Sequence, residues 1–392
     1  MATPVQRIQS IDILRGIVMV IMALDHTRDF FHITAMTADP LDPSITTPTL
    51  FFTRWITHFC APIFVFLSGL SAYLAAQNKA NITTTSNHLF KRGIWLVFAE
   101  IIIVTLGLTF NPLYNFIILQ VIWAIGWSMV LLSIVRRLSY TAVLITGVVL
   151  VFGHDLTGLF QLPQTGFVAV VMKVFFTASG TVLPLNSTHF IGVFYAILPW
   201  TGIMFLGYAC GAWYQKNYDP VNRRKKLLFS GILLITLFIL LRSTNAYGDP
   251  SLRKVYPTLI QNLLSFLNTS KYPPSLLYFC MTIGPGLILL SLLEKAKNTF
   301  SRMMTNYGSV PFFYYILHFY VLHLLLVIVF FISGRHTNEI VSVPFLFRPA
   351  NFGFSLPVVY LIWILVVISL YKPCLWFKQY KTNHNQWWLK FI

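Results

Sequence analysis

Long blocks of Phe, Leu, Ile and Val, separated by short polar segments, occupy most of the 392-residue chain. Many of these blocks approach the ~20 residues that a helix needs to cross a bilayer. The pattern predicts an all-α polytopic transmembrane helix bundle of about ten spans, forming a single domain over residues 1–392. We predict the spans at 11–31, 51–76, 93–110, 114–135, 140–153, 190–214, 227–243, 275–293, 310–332 and 355–376. An apolar piece at 166–178 is the alternative eleventh span.

Composition and charge agree with a membrane protein. Charged residues make up 10% of the chain, whereas soluble domains usually contain about 25%. The net charge of +17 would suit nucleic acid, but Lys and Arg are roughly twice as frequent in one set of predicted loops as in the other. This bias predicts cytoplasmic termini, contact with a lipid bilayer and no nucleic-acid partner. The four cysteines stand singly, without metal-ligand spacing, so we expect no metal site.

The densest group of ionisable residues lies at the end of the first predicted span. On a helix, Asp25, Arg28, Asp29 and His32 fall within an arc of about 100°, and His26 lies about 60° to one side. Exposing these groups to lipid is costly, so their shared face should turn into the bundle or a water-filled cavity. Ion pairs that only fasten helices together are the alternative interpretation.

Further polar groups fall on the same predicted side of the membrane. They are Arg54 and His58 in the second span, Lys271, Tyr272 and Ser275 at the start of the eighth, and His323 in the ninth. Imidazoles and carboxylates on one side of a bundle suit general acid–base chemistry, because a carboxylate can orient an imidazole and raise its basicity. The same groups would also serve a proton-coupled transporter, so residue types alone leave both functions open.

Two other charged patterns have simple interpretations. The longest basic run consists of Arg223, Arg224, Lys225 and Lys226. It is most simply a topology signal, and docking of a phosphorylated cytoplasmic ligand is the alternative. Asp12 and Arg15, three residues apart near the start of the first span, are interpreted as a structural pair.

Beyond these patterns, RIQSIDILRGIVMVIMALDH (7–26) resembles the opening of the heparan-α-glucosaminide N-acetyltransferase catalytic-domain family, a group of membrane acyltransferases with many bacterial members. The family pattern R-x-x-S-x-D-x-x-R-G is matched by Arg7, Ser10, Asp12, Arg15 and Gly16. Stretches that resemble the bacterial branch follow in order: FCAPIFVFLSG (59–69), KRGIWLVFAE (91–100), VIWAIGWSM (121–129), LPWTGIMFLGYACG (198–211), NTSKYPPSLLYFCMTIGP (268–285) and VPFFYYILHFYVLH (310–323).

The resemblance implies a bacterial inner-membrane enzyme that takes an acetyl or other acyl group from cytoplasmic acetyl-CoA or acyl-CoA. The acceptor would be an amine or hydroxyl of a glycan or glycolipid on the outer side, and no particular oligomeric state is implied. Family members carry an active-site His just beyond the first span, with an Asn shortly before it. Here His26 occupies the Asn position, and His32 is the nearest His beyond it, at a shorter spacing. Either residue could therefore hold the catalytic role.

On this hypothesis, His26 or His32 deprotonates the acceptor or takes the acyl group itself. Asp25 or Asp29 orients that imidazole. A proton-coupled transporter or flippase that uses the same cluster as a relay is the alternative function. Transporters often contain inverted repeats, and the absence of paired halves in this sequence mildly favours the enzyme.

The other polar groups would take supporting roles on the same hypothesis. Oxyanion stabilisation would fall to Arg28, Arg54 or His58. Acceptor binding would fall to Lys271, Tyr272, Ser275 and His323. The CoA phosphates would meet Arg223, Arg224, Lys225 and Lys226.

Overall fold

The structure is a computed structural model that describes residues 8–77, 81–160, 163, 165–178, 181–341 and 343–391. Its helices are α1 Gln9–Phe31, α2 Pro48–Thr57, α3 Cys60–Gln77, α4 Ile82–Ala99, α5 Thr105–Thr109, α6 Val121–Val135, α7 Tyr140–Gly153, α8 Gly166–Met172, α9 Ile197–Cys210, α10 Pro220–Thr244, α11 Leu259–Leu267, α12 Leu276–Leu293, α13 Thr299–Gly308, α14 Pro311–Ile332 and α15 Leu356–Asn383. We call the end of the bundle where α1 finishes the distal end, and the end where α1 begins the proximal end.

Within the described residues, six helices are long and apolar enough to cross a membrane. They are Pro48–Gln77, which joins α2 and α3, Tyr140–Gly158, Pro220–Thr244, Leu276–Leu293, Pro311–Ile332 and Leu356–Asn383. The prediction of a helical membrane protein is confirmed in this coarser form, since the chain is 70% helix. The number of about ten spans is not confirmed.

Two predicted spans illustrate the difference in number. The segments 114–135 and 190–214 each contain a short strand before their helix, so α6 and α9 are only 15 and 14 residues long. The alternative eleventh span at 166–178 consists of α8 followed by a π-helical turn, Lys173–Thr177, and is also shorter than the ~20 residues a crossing needs.

A small three-stranded sheet lies at the distal end and makes the all-α prediction incomplete. Strand β1 (Phe116–Leu119) pairs in parallel with β3 (Phe190–Val193), and β2 (Thr181–Pro184) pairs antiparallel on the other side of β3. Short apolar runs of four residues cannot be separated from helix by periodicity, which is why the sequence placed 116–119 and 190–193 inside spans.

Close helix packing at the proximal end explains the last three residues of the Arg-Ser-Asp-Arg-Gly pattern. Arg15 donates to Asp12 at 2.9 Å, to the carbonyl of Gly308 at 3.1 Å and to the hydroxyl of Ser71 at 2.7 Å. A Cβ on Gly16 would lie 1.9 Å from the carbonyl oxygen of Met304. Small residues let membrane helices approach backbone to backbone, so Gly16 and Arg15 join α1 to α13, and the interpretation of Asp12–Arg15 as a structural pair agrees with these contacts.

Candidate functional site

A small polar cavity of about 70 Å³ lies inside the distal half of the bundle. Its polar lining comes from α1, α2, the residue before α6 and the segment before α12: Asp25, His26, Asp29, Arg54, Gln120 and Lys271. Three tyrosines, Tyr195, Tyr272 and Tyr315, also line it. The fold thus brings together groups that are more than two hundred residues apart in the chain.

Charged side chains on one side of the cavity form a connected network. Arg54 of α2 donates to the Asp25 carboxylate of α1, and Arg28 reaches the other oxygen of that carboxylate at 3.4 Å. Arg28 also pairs with Asp29 at 2.5 Å. Since ion pairs this deep in a bundle hold only when each charge has partners, the network orients α1 against α2 and leaves Asp29 facing the cavity.

His26 lies next to this network with its ring in the cavity wall. Its Nδ1 is 3.9 Å from the Asp29 carboxylate, and its side chain is 15% exposed. On the other side the ring packs against His318 and Phe319 of α14, at centroid distances of 5.2 and 4.4 Å. An imidazole that lines a cavity and has a carboxylate within 4 Å has the arrangement of a general base.

His32 does not line the cavity. It follows the last residue of α1, where its Nδ1 lies 3.0 Å from the Thr34 hydroxyl and its carbonyl accepts a hydrogen bond from Arg348 at 2.7 Å. Burial lowers the pKa of His32, and the nearby Arg28 and Arg348 cations lower it further. The structure therefore separates the two histidines that the sequence left as alternatives.

His58 also lies outside the cavity lining. It connects α2 to α3, and because Pro62 has no N–H, the His58 carbonyl is free to accept the Tyr278 hydroxyl at 2.8 Å. The ring stands edge-on to Tyr278 at 5.4 Å, and neither ring nitrogen has a hydrogen-bond partner among the described residues. Arg54, one turn earlier, lines the cavity, whereas His58 does not.

The contacts of His323 are with backbone carbonyls and an aromatic ring, so its role is structural. Its Nδ1 lies 2.9 Å from the carbonyl oxygen of Leu108 and its Nε2 lies 2.8 Å from that of Leu346. The ring stacks on Phe110 at 4.1 Å. These contacts join α14 to the end of α5 and to the loop before α15, so His323 does not meet the groups of the cavity.

The segment before α12 contributes Lys271 and Tyr272 to the cavity but not Ser275. The Lys271 ammonium lies 5.1 Å from the Tyr272 ring centroid and 5.9 Å from that of Tyr195, and no carboxylate of the described chain pairs with it. Ser275 is fully buried, caps α12 by accepting the Tyr278 N–H, and donates to Asp249 at 3.2 Å.

A buried ion pair between Arg242 and Asp249 stabilises the segment before α12. Arg242, at the end of α10, donates to four backbone carbonyls of the following segment and lies 3.7 Å from Asp249. Asp249 in turn accepts the Ser251 and Ser270 N–H groups at 2.8 and 3.1 Å. Burial raises the pKa of Asp249 to about 6. The pair fixes the backbone immediately before Lys271.

The basic run lies at the proximal end, away from the cavity. Arg223 pairs with Glu294 at 2.6 and 3.0 Å and stacks over the Tyr214 ring at 4.7 Å. Lys226 lies 5.2 Å from the Tyr218 ring centroid. Arg224 is partly buried, and Lys225, like Lys226, is exposed.

Sequence reasoning missed Gln120 at the cavity and also Glu100, which contacts the Gln120 backbone but does not line the cavity. Gln120 lines it just before α6, and its side-chain amide makes no hydrogen bond to any described residue. Its backbone N–H donates to Glu100 at 2.6 Å, while Glu100 Oε2 is buried with no partner among the described residues. A lone carboxylate in an apolar span is itself a functional signal, and Glu100 ends the motif stretch 91–100. Gln120 gave no signal, because only the turn between β1 and α6 places it.

A second, wider opening joins the cavity from the distal side. This vestibule has a volume of about 640 Å³ and shares Asp29, Gln120 and Tyr272 with the cavity. These three residues form a threshold between the two spaces. Within the described chain, no group of three or more His, Cys, Asp or Glu side chains is placed to hold a metal ion.

Comparison with known proteins identifies the family of the chain. A search of curated proteins finds no match. The family model described as heparan-alpha-glucosaminide N-acetyltransferase, catalytic, matches residues 7–243, which include α1, α2 and Gln120. The match covers more than half of the chain, and the protein therefore belongs to the heparan-alpha-glucosaminide N-acetyltransferase catalytic-domain family.

Proposed function

We propose that this protein is an inner-membrane acyltransferase that moves an acetyl or other acyl group from cytoplasmic acyl-CoA to an amine or hydroxyl of a sugar-containing acceptor. Membership of a membrane acetyltransferase family supports the reaction class. The observation that carries the proposal is the distal cavity, in which His26, Asp29 and Lys271 meet around a space of about 70 Å³. That space suits a small acyl group, since liquid water occupies about 30 Å³ per molecule.

His26 is the proposed general base, and Asp29 is the proposed carboxylate partner of its ring. The neutral imidazole accepts the proton of the acceptor hydroxyl or amine as the acceptor's lone pair forms a bond to the thioester carbonyl carbon. Asp29, 3.9 Å from Nδ1, stabilises the resulting imidazolium. When the tetrahedral intermediate collapses, the carbon–sulfur bond breaks and the imidazolium proton goes to the departing CoA thiolate.

Negative charge on the carbonyl oxygen needs donors that are already in place. Lys271 and the Gln120 amide line the cavity without carboxylate or hydrogen-bond partners among the described residues, and these are the proposed donors. Such fixed donors act without reorganisation during the reaction. Arg54 and Arg28 have the Asp25 carboxylate between them, and they are proposed to position α1 and α2 rather than to contact the oxyanion.

The donor is proposed to enter from the proximal end, which the Lys and Arg distribution assigns to the cytoplasm together with both termini. Within the basic run, Arg223 is already paired with Glu294. The exposed Lys225 and Lys226 are therefore the proposed contacts for the CoA phosphates, with Arg224 behind them.

Purified protein in detergent, incubated with radiolabelled acetyl-CoA and an envelope extract, tests the proposal. Wild type should transfer label to an extractable acceptor, His26→Ala should abolish transfer, and His32→Ala should retain it. No label transfer by wild type, with proton-coupled uptake by reconstituted vesicles instead, would establish the transporter alternative. Transfer that survives His26→Ala but not His32→Ala would move the base to His32.

A further inference from the structure

The walls of the vestibule differ chemically from the cavity that they lead to. Strands β1 and β3 contribute Phe116, Ile118 and Phe190, and the loop before α15 contributes Val343, Pro344 and Phe345. Polar side chains are confined to the threshold, where Asp29, Gln120 and Tyr272 adjoin the cavity.

A free glycan is poorly suited to these walls. Sugars carry a hydroxyl on most carbons, and each hydroxyl that leaves water without a new partner costs free energy. The wall side chains named above offer no hydrogen-bonding groups. Hydrocarbon gains free energy in such a space in proportion to the apolar area removed from water, so the walls select for an apolar stem.

The charges below the threshold indicate what the stem carries. Arg28, Arg54 and Lys271 face two carboxylates, Asp25 and Asp29, which leaves one cation in excess. The excess charge belongs to Lys271, because both carboxylates are paired with the arginines. An ammonium has three N–H donors. Lys271 can therefore bind an anionic group of the acceptor, such as a phosphate, while one N–H still reaches the developing oxyanion.

We infer that the acceptor is an amphiphilic, phosphate-bearing glycolipid, whose hydrocarbon stem lies in the vestibule and whose phosphate meets Lys271. This inference rests on the proposed function and names its acceptor class. The acceptor's hydroxyl or amine then lies at the threshold, beside His26. A membrane lipid also reaches the distal end by lateral diffusion, without leaving the bilayer for water.

Matched synthetic acceptors test the inference with purified full-length protein and labelled acetyl-CoA. One is a glucosamine phosphate joined to a long alkyl chain, the second has a methyl group in place of the chain, and the third has the chain without the phosphate. We expect transfer to the first to exceed transfer to each of the others at least tenfold in kcat/KM. Equal transfer to the long and short compounds would overturn the inference while leaving the acyltransferase function intact. No transfer to any acceptor, including the envelope extract, would instead count against the proposed function.

A wall variant supplies the structural control. Val182 of β2 lines the vestibule and is 50% exposed, whereas Leu185, just after the same strand, is 59% exposed and does not line it. Val182→Asp should raise KM for the long-chain acceptor at least tenfold and leave the short-chain acceptor unchanged. Leu185→Asp should change neither, and equal effects of the two variants would contradict the inference.

Binding can be read without activity. A glycolipid phosphate with a photoactivatable alkyl chain should label peptides that contain residues 181–194 and 343–345, and Val182→Asp should reduce that labelling. Labelling confined to the outward apolar faces of α10 and α15 would show general lipid contact only and would overturn the inference.

Discussion

Arg54 of α2 and Asp25 of α1 form a buried ion pair, and Arg28 holds the other carboxylate oxygen at 3.4 Å. Removal of one partner from such a pair costs more than the pair contributes, because the other charge stays buried. Arg54→Ala should therefore lower the free energy of unfolding by about 3 kcal/mol. Chemical denaturation in detergent measures the loss. The double variant Arg54→Ala/Asp25→Asn should recover part of it, and simple additivity of the two changes would show that the pair is not coupled.

Gln120 is expected to act on the transition state rather than on substrate binding. Gln120→Leu should lower kcat by about 10²–10³, as for loss of a single oxyanion donor. KM for acetyl-CoA and KM for the acceptor should change little. Gln386→Leu is the matched control, because Gln386 is exposed near the chain end. A Gln120 variant that raises KM alone would assign it to substrate binding.

The exposed lysines of the basic run are expected to act on donor binding. The double variant Lys225→Ala/Lys226→Ala should raise KM for acetyl-CoA about tenfold, equivalent to about 1.4 kcal/mol, and leave kcat unchanged. The same reaction with acetyl-pantetheine, which lacks the nucleotide phosphates, should be insensitive to the change. An unchanged KM for acetyl-CoA would show that these lysines do not bind CoA, and the basic run would then act only as a topology signal.

Asp249 should make stability depend on pH. Its folded pKa of about 6 lies above the ordinary value of 3.8, so its stabilising contribution is complete below pH 3.8 and is lost as pH rises through 6. The shift corresponds to about 3 kcal/mol. Melting curves from pH 4 to pH 7 should show wild type losing Tm relative to Asp249→Asn as pH rises. A constant difference across that range would show that Asp249 does not titrate there.

The contact of α1 with α13 should tolerate no side chain at Gly16. Gly16→Ala would place a Cβ 1.9 Å from the Met304 carbonyl oxygen, so the helices must separate, at a cost of about 3 kcal/mol. Gly153→Ala is the control, because a Cβ there meets nothing within 4 Å. Thermal unfolding in detergent should show a large loss for the first variant and almost none for the second.

Side-chain spacing predicted which residues lie together in the candidate site where those residues belong to one helix. Asp25, His26 and Asp29 could be placed together because they share a turn of α1, and Arg54 followed from its position near the same end of the next span. His58 could not be placed, because the effect of Pro62 on the preceding turn depends on which group donates a hydrogen bond to the released His58 carbonyl. Here that group is Tyr278, which is remote in sequence.

Long-range geometry accounts for what the sequence did not predict. Gln120 reaches the cavity because β1 pairs with β3, more than seventy residues away, and no local pattern encodes that pairing. Ser275 and His323 were predicted to bind the acceptor, and neither lines the cavity. Their partners, Asp249 and two backbone carbonyls, could not be found from spacing, and these partners separate structural roles from catalytic ones.

The threshold of Asp29, Gln120 and Tyr272 also affects how much of the acyl thioester is transferred and how much is hydrolysed in the proposed reaction. An acyl thioester beside an imidazole base is open to hydrolysis whenever water can occupy the acceptor position. A bound amphiphile would fill the vestibule above the threshold and exclude bulk water from the small cavity below it. The ratio of productive transfer to wasteful thioester cleavage would then be set by occupancy of the vestibule, so that acetyl-CoA is consumed mainly when an acceptor is present.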